Sequence, residues 1–169
     1  LPIWSRLYLS SYLGRDKAYL RLKDEGEDYI WEDDFGLGWG NQTTALRWNY
    51  VITPKLFSNP TVTYSKYNFN VAMETQETER DTLKQRFAFA YDSGIRDLAG
   101  KVDFDYLPNP NHSVKFGYNH IYHTFSPGVT IFQIEEESMA NPVDTTFGNT
   151  DITANEMELY LEDDWELGT

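Results

Sequence analysis

Apolar and polar residues alternate one by one along most of this chain, and the pattern is cleanest between Gly94 and Phe125. Leu98, Val102, Phe104 and Tyr106 share one parity, while Asp97, Lys101, Asp103 and Asp105 share the other. A period of two is that of a β-strand with one apolar face. After the turn PNPNH the alternation resumes, with Val114, Phe116 and Tyr118 opposed to Lys115, Gly117 and Asn119. With Pro110 at the centre of that turn, Asp105 falls opposite Lys115, Phe104 opposite Phe116 and Val102 opposite Tyr118. The segment therefore predicts a hairpin with one greasy face and one wet face.

The same alternation predicts further strands. Leu7, Leu9 and Leu13 oppose Arg6, Tyr8 and Tyr12; Leu46, Trp48, Tyr50 and Ile52 oppose Arg47 and Asn49. Tyr67, Phe69 and Val71 oppose Lys66, Asn68 and Asn70, but Val62 and Tyr64 sit on the other parity, which a bulge would explain. Phe87, Phe89 and Tyr91 likewise change parity at Ser93 and Gly94, where a glycine suggests a bulge or kink. Near the end, Met157, Leu159, Leu161 and Trp165 alternate with Glu156, Glu158, Tyr160 and Glu162. Six strands result, over about 4–14, 43–53, 61–73, 83–107, 113–125 and 152–167.

The connections are unequal. The stretches 15–40, 74–82 and 126–151 read as long, polar and largely acidic loops, whereas TPKLFSNP and PNPNH are short and hold prolines that end strands. Long loops at one end and short turns at the other are the habit of outer-membrane barrels. The predicted fold class is thus all-β, with antiparallel up-and-down strands forming about six strands of a larger transmembrane β-barrel. On that expectation Val102, Phe104, Tyr106, Val114, Phe116, Tyr118, Leu159 and Leu161 face lipid. Arg47, Asn49, Lys66, Asn68, Lys101, Asp103, Asp105, Lys115, Glu156 and Glu158 face the lumen. Trp4, Phe57, Tyr106 and Trp165 lie at the short-turn end and suit an aromatic girdle.

Composition narrows the chemistry. The net charge of −13 in 169 residues, with no basic cluster, argues against nucleic-acid binding. No cysteine is present, which removes thiol nucleophiles, disulfides and Cys-based metal sites. No apolar run approaches the roughly 20 residues of a membrane helix, but a barrel strand needs only about 9 to 11 of alternating character. The opening LPIWSRLYL lacks the form of a signal peptide, so the expectation is either a cytoplasmic protein or an internal piece of a longer one. His120 and His123 stand three apart, on opposite faces of a strand, and are expected to pack rather than to ligate a metal. The acidic run DEGEDYIWEDD lacks EF-hand spacing and reads as a solvated surface. Neither a catalytic triad, a phosphate loop nor a dinucleotide fingerprint appears, so no enzyme activity and no cofactor are expected.

Several segments together, GWGNQTTALRWNYVITPKLFSNPTVTYSKYNF, SGIRDLAGKVDFDYLPNPNHSVKFG, HTFSPG and ANEMELYLEDDWEL, resemble the mid-barrel region of TonB-dependent outer-membrane receptors. Their order and spacing carry the resemblance from Leu7 onward, and the Glu156, Tyr160, Asp164, Trp165 segment resembles a strand that follows a long surface loop in such receptors. The resemblance implies an outer-membrane location in a Gram-negative bacterium, with outer-membrane lipid around the barrel. It also implies a TonB-type energy-coupling partner, and a scarce bulky solute such as a siderophore, glycan, peptide or cofactor complex. Receptors of this kind close about 22 strands around a plug, and the matching segments correspond only to part of that barrel. The alternative expectation is a self-contained surface or soluble β-domain that binds a partner through its acidic, aromatic loops.

Overall fold

Alternation of this regularity, with few prolines inside the runs, lets the strands extend much further than the clean segments alone. The computed structural model describes residues 5–148 and 150–167. Its elements are β1 (Ser5–Glu25), β2 (Tyr29–Thr53), β3 (Leu56–Glu79), β4 (Thr82–Asn109), β5 (His112–Glu136), β6 (Val143–Gly148) and β7 (Ile152–Trp165). All seven are antiparallel and consecutive in one open sheet, β1-β2-β3-β4-β5-β6, with β7 also paired to β5. No helix occurs among the described residues. The all-β, up-and-down fold class expected from the pattern is what the chain adopts.

Three of the expected loops are strand instead. Residues 15–40 form the outer arms of the β1–β2 hairpin, paired from Arg15↔Gly40 to Glu25↔Ile30 around a turn at 26–28. Residues 74–79 continue β3, and the chain reverses at Arg80 and Asp81, whose φ values of 49° and 63° define a tight two-residue hairpin turn. Residues 126–136 complete β5, and Val143–Gly148 form β6. Acidic, glycine-bearing composition suggested loops because loops usually carry it. Here consecutive acids such as Asp33 and Asp34 alternate between the two faces of an extended strand, and cross-strand partners hold both, Thr75 donating to Asp33 and Arg21 to Asp34. Trp4 and the start of the first predicted strand lie outside the described residues.

β6 and β7 occupy successive positions along the same edge of β5. Val129↔Gly148 and Phe125↔Ile152 are in step with each other, so one strand is interrupted between them. The interruption faces an irregularity in β5 at Pro127 and Gly128. Gly128 and Gly148 take φ of 135° and 96°, conformations that side-chain-bearing residues rarely adopt. A Cβ on Gly148 would also strike the Gly128 carbonyl oxygen. The Tyr91 hydroxyl fastens the bulge by donating to the Pro127 carbonyl at 2.6 Å.

The ladders fix which residues share a face. Leu7↔Trp48, Leu46↔Val62, Val62↔Gly100, Phe104↔Phe116 and Phe116↔Leu161 place one apolar belt across all the long strands, on what we term the Phe104 face. Arg47↔Thr61, Thr61↔Lys101, Lys101↔Asn119 and Asn119↔Glu158 place a polar row on the opposite, Lys101 face. The belt lies next to the turns at 54–55 and 110–111. Beyond it, toward the turn at 80–81, the faces exchange character. Phe35↔Met73, Met73↔Phe89 and Phe89↔Phe132 now line the Lys101 face, while Arg21↔Asp34, Asp34↔Glu74 and Asn70↔Asp92 line the Phe104 face.

This exchange corrects two expectations. β3 pairs with β4 without a break from Leu56 to Glu77, so no bulge separates Val62 from Tyr67. β4 likewise runs regularly against β3 through Ser93 and Gly94, and the irregularity belongs to β5 opposite. The parity changes seen in the sequence record apolar residues moving to the other face of straight strands.

A single sheet has no second layer on which to build a core. Among the described residues no apolar side chain is buried, and Ser58, at 7 % exposure, is the only buried polar residue apart from glycine positions. Leu13 is 73 % exposed, Leu161 77 % and Leu159 80 %. Soluble domains bury such faces against another layer.

Candidate functional site: a two-faced belt and its polar concavity

The belt is built from short alternating runs. On β4 it spans Leu98 to Tyr106, on β5 Val114 to Tyr122, on β3 Leu56 to Tyr64 and on β7 Met157 to Trp165. Each is close to the about 9 to 11 residues that a tilted strand needs to cross a hydrocarbon layer. The strands themselves run to 28 residues in β4 and 25 in β5, so they project well beyond the belt at the far end. Within the belt Phe104 and Phe116 stack at 4.9 Å between centroids, and His112 stacks on Trp165 at 5.4 Å. Cross-strand aromatic pairs of this kind add roughly 0.2 to 1 kcal/mol each.

All eight residues expected to face lipid, from Val102 to Leu161, stand together on the Phe104 face. Tyr106 and Trp165 close that face near the short turns, but Phe57 pairs with Asp105 and points to the other side, so it does not join them. Of the residues expected in the lumen, Arg47, Asn49, Lys101, Asp103, Asp105, Lys115, Glu156 and Glu158 share the Lys101 face. Lys66 and Asn68 do not. Lys66 pairs with Arg96 and Asn68 with Gly94, which places both on the Phe104 face just past the belt. Tyr67 and Phe69, which set the parity of this stretch, already lie beyond the exchange.

The polar row surrounds a concavity of about 520 Å³ on the Lys101 face, lined in part by Arg47, Asn49, Asn59, Thr61, Lys101 and Asp103. Lys101 Nζ lies 3.1 Å from Asp103 Oδ2, and the Tyr160 hydroxyl reaches across β5 to donate to Asp103 Oδ1 at 2.6 Å. That reach needs a gap between the two strands. Gly117 supplies it, since a Cβ there would meet the Tyr160 ring at 2.6 Å and the Val102 carbonyl oxygen at the same distance. Asp105 and Lys115 are register partners as expected, yet among the described residues they form no ion pair, and Asp105 instead accepts from Asn59 Nδ2 at 3.5 Å. Asn49 Oδ1 is buried in this wall without a hydrogen-bond donor among the described residues. The concavity thus presents Arg47, which has no carboxylate partner among the described residues, together with the Thr61 and Thr63 hydroxyls and the Asn119 amide, a polar lining in which the described residues place no nucleophile–base pair.

His120 and His123 stand on opposite faces. His120 hydrogen-bonds Asn155 at 2.9 Å, and His123 bonds Asp97 at 2.8 Å. No group of three potential metal ligands gathers among the described residues.

Beyond the belt, sequence reasoning missed two features. The first is the aromatic lining of the Lys101 face, where Phe87 meets Phe132 edge-on at 5.1 Å. The second is the set of ion pairs that replaces the belt on the Phe104 face, including Arg21 with Asp34 and Arg86 with Glu74 at 2.6 Å. The signal for both was the parity change at Val62–Tyr67 and at Tyr91–Leu98. No protein-family model matches the sequence, and no curated protein matches it significantly.

Proposed function

We propose that this chain is a section of an outer-membrane β-barrel, and specifically of a TonB-dependent receptor that takes up a scarce bulky solute. The observation that carries the membrane reading is the belt, apolar on one face of every long strand, about one hydrocarbon thickness tall and covered by none of the described residues. Lipid covers such a face without needing a second protein layer. On this reading the Lys101 face lines the lumen, the short turns at 54–55 and 110–111 are periplasmic, and the far-end hairpins stand above the outer leaflet. The open edges at β1 and at β6 with β7 are continued by the other strands of the barrel. The assignment to TonB-dependent receptors rests on the resemblance of the segments quoted above, and the solute belongs to the classes that resemblance implies.

Cysteine labelling tests this directly on a full-length protein cleared of any cysteines outside these 169 residues, which themselves hold none. In cells that make the full-length protein, a single cysteine at Arg80 should react with an impermeant maleimide while the cells are intact. One at Asn111 should react only after permeabilisation. Recovery of the protein in the soluble fraction, or equal labelling of both turns in intact cells, would sink the barrel reading. Retention of the full-length protein on an immobilised periplasmic TonB domain is the expected result for the receptor assignment, and failure to bind argues for a barrel of another kind.

A further inference from the structure

The rows just past the belt on the Phe104 face have an unusual composition for so acidic a chain. In the first row the ladders align Leu13↔Gln42, Gln42↔Lys66 and Lys66↔Arg96. In the next they align Arg15↔Gly40, Gly40↔Asn68 and Asn68↔Gly94. Lys17↔Gly38 and Gly38↔Asn70 form the third. Four cations and three side-chain amides therefore surround three glycines. Arg15, Lys66, Asn68 and Asn70 line both of the depressions found there, one of about 530 Å³. Asn70 lies over Gly38, and Asn68 Oδ1 lies 3.1 Å from where a Gly94 Cβ would be, so the floor carries amides rather than alkyl groups.

Lys66 and Arg96 are direct cross-strand partners. Like charges in that position repel and destabilise a sheet. Arg96 is turned to Asp151 at 3.2 Å, whose other oxygen accepts from Ser126 at 2.6 Å, and Asp92 stands in the third row opposite Asn70. Arg15, Lys17 and Lys66 have no carboxylate partner among the described residues. In a chain of net charge −13, cations left free at one border of an apolar belt call for an anion from outside.

We propose that this patch, with Arg15 and Lys66 as its principal cations, binds the phosphate of a phosphorylated glycolipid whose acyl chains cover the belt. The inference rests on the membrane reading above. The acyl chains lie against Leu98, Val102 and Phe104, and the phosphate sits one to two rows higher, between Lys66 and Arg15. Charge-assisted bonds from Lys and Arg, backed by Asn68, relieve the Lys66–Arg96 repulsion.

The test uses the full-length protein in phosphatidylcholine nanodiscs doped with bisphosphorylated lipid A, with retained lipid counted by native mass spectrometry. The wild-type protein should hold lipid A, and the R15Q/K66Q variant should hold it roughly tenfold less tightly. K84Q, whose cation is already bound to Glu137 at 2.6 Å, should match wild type. Dephosphorylated lipid A should be retained no better by wild type than by R15Q/K66Q. Millimolar inorganic phosphate should leave retention unchanged, whereas displacement by it would mark a site for free phosphate and overturn the proposal. Equal retention by wild type and R15Q/K66Q overturns it too. A fluorescent label at Leu159 separates the two levels. If it reports lipid while the variant binds normally, the headgroup site fails alone; if it reports water, the membrane reading fails first.

Discussion

The two ends of this sheet are made of the same strands yet carry their apolar residues on opposite faces. Near the short turns Val102, Phe104 and Phe116 are apolar and their intervening residues polar. Toward the far turns Phe69, Phe89 and Phe132 carry the apolar side on the other face. No bulge in β3 or β4 produces the exchange, because both strands stay in register through it. On the barrel reading proposed above, a change of solvent does. A straight strand that leaves lipid for water must turn its outward face polar, and the ion pairs of Arg21 with Asp34 and Arg86 with Glu74 are what appears there. The inward face is then free to become aromatic.

The largest expected effect comes from placing a charge on each end of the Phe104 face. Val102→Arg, in the belt, should destabilise the inserted full-length barrel by about 2–4 kcal/mol, the penalty for a cation near the bilayer midplane. Asn70→Arg, on the same face past the exchange, should stay within about 0.5 kcal/mol. Urea unfolding in lipid vesicles measures both, and equal penalties would erase the distinction between the ends. A third cation, Thr63→Arg on the Lys101 face at belt height, should also cost less than about 1 kcal/mol, because water meets it there.

A smaller effect sharpens the edge of the far half. Gly148→Ala places a side chain at φ of 96° and against the Gly128 carbonyl. The left-handed backbone alone costs about 1–2 kcal/mol. Amide exchange across Val143–Gly148 should accelerate while that of β7 holds, and uniform acceleration through β7 would mean the two segments act as one strand. Removing the edge-on partner by Phe132→Ala should forfeit about 0.5–1.5 kcal/mol of pairing beyond area loss, read by a double-mutant cycle with Phe87.

The smallest effect is acid sensitivity. The Arg21 guanidinium, hydrogen-bonded to Asp34, holds that carboxyl below the ordinary carboxylate range, with the Tyr19 hydroxyl assisting and desolvation opposing. A depressed carboxylate stabilises at pH above its unfolded value and loses that contribution as pH falls through the folded one. Exchange protection at the outer β1–β2 hairpin should therefore persist down to about pH 4 and weaken only below it. Loss of protection near neutral pH would assign it to another group.

Much of the sheet was legible because a period of two survives any environment that keeps one face apolar. The pairings Phe104↔Phe116, Val102↔Tyr118 and Asp105↔Lys115 followed from the turn alone. The far halves of the strands were hidden for a physical reason: acids and glycines such as Asp33, Asp34, Gly36 and Gly38 look like loop, and only cross-strand partners on either side make them strand. The face of Lys66 is not legible in the sequence, because a single strand's alternation does not reveal on which side of the exchange it lies. Tyr160, which closes on Asp103, stood in the sequence among glutamates and gave no sign of its reach over Gly117.

The most direct measurement sets nitroxide labels in the full-length protein at Phe104 and Leu159 in the belt, at Thr63 on the opposite face, and at Asn70 past the exchange. Accessibility to oxygen should exceed that to a polar nickel reagent at Phe104 and Leu159, and the order should reverse at Thr63 and Asn70. Polar-reagent access at all four positions would contradict a membrane belt, and lipid-like access at Asn70 would contradict the exchange of faces.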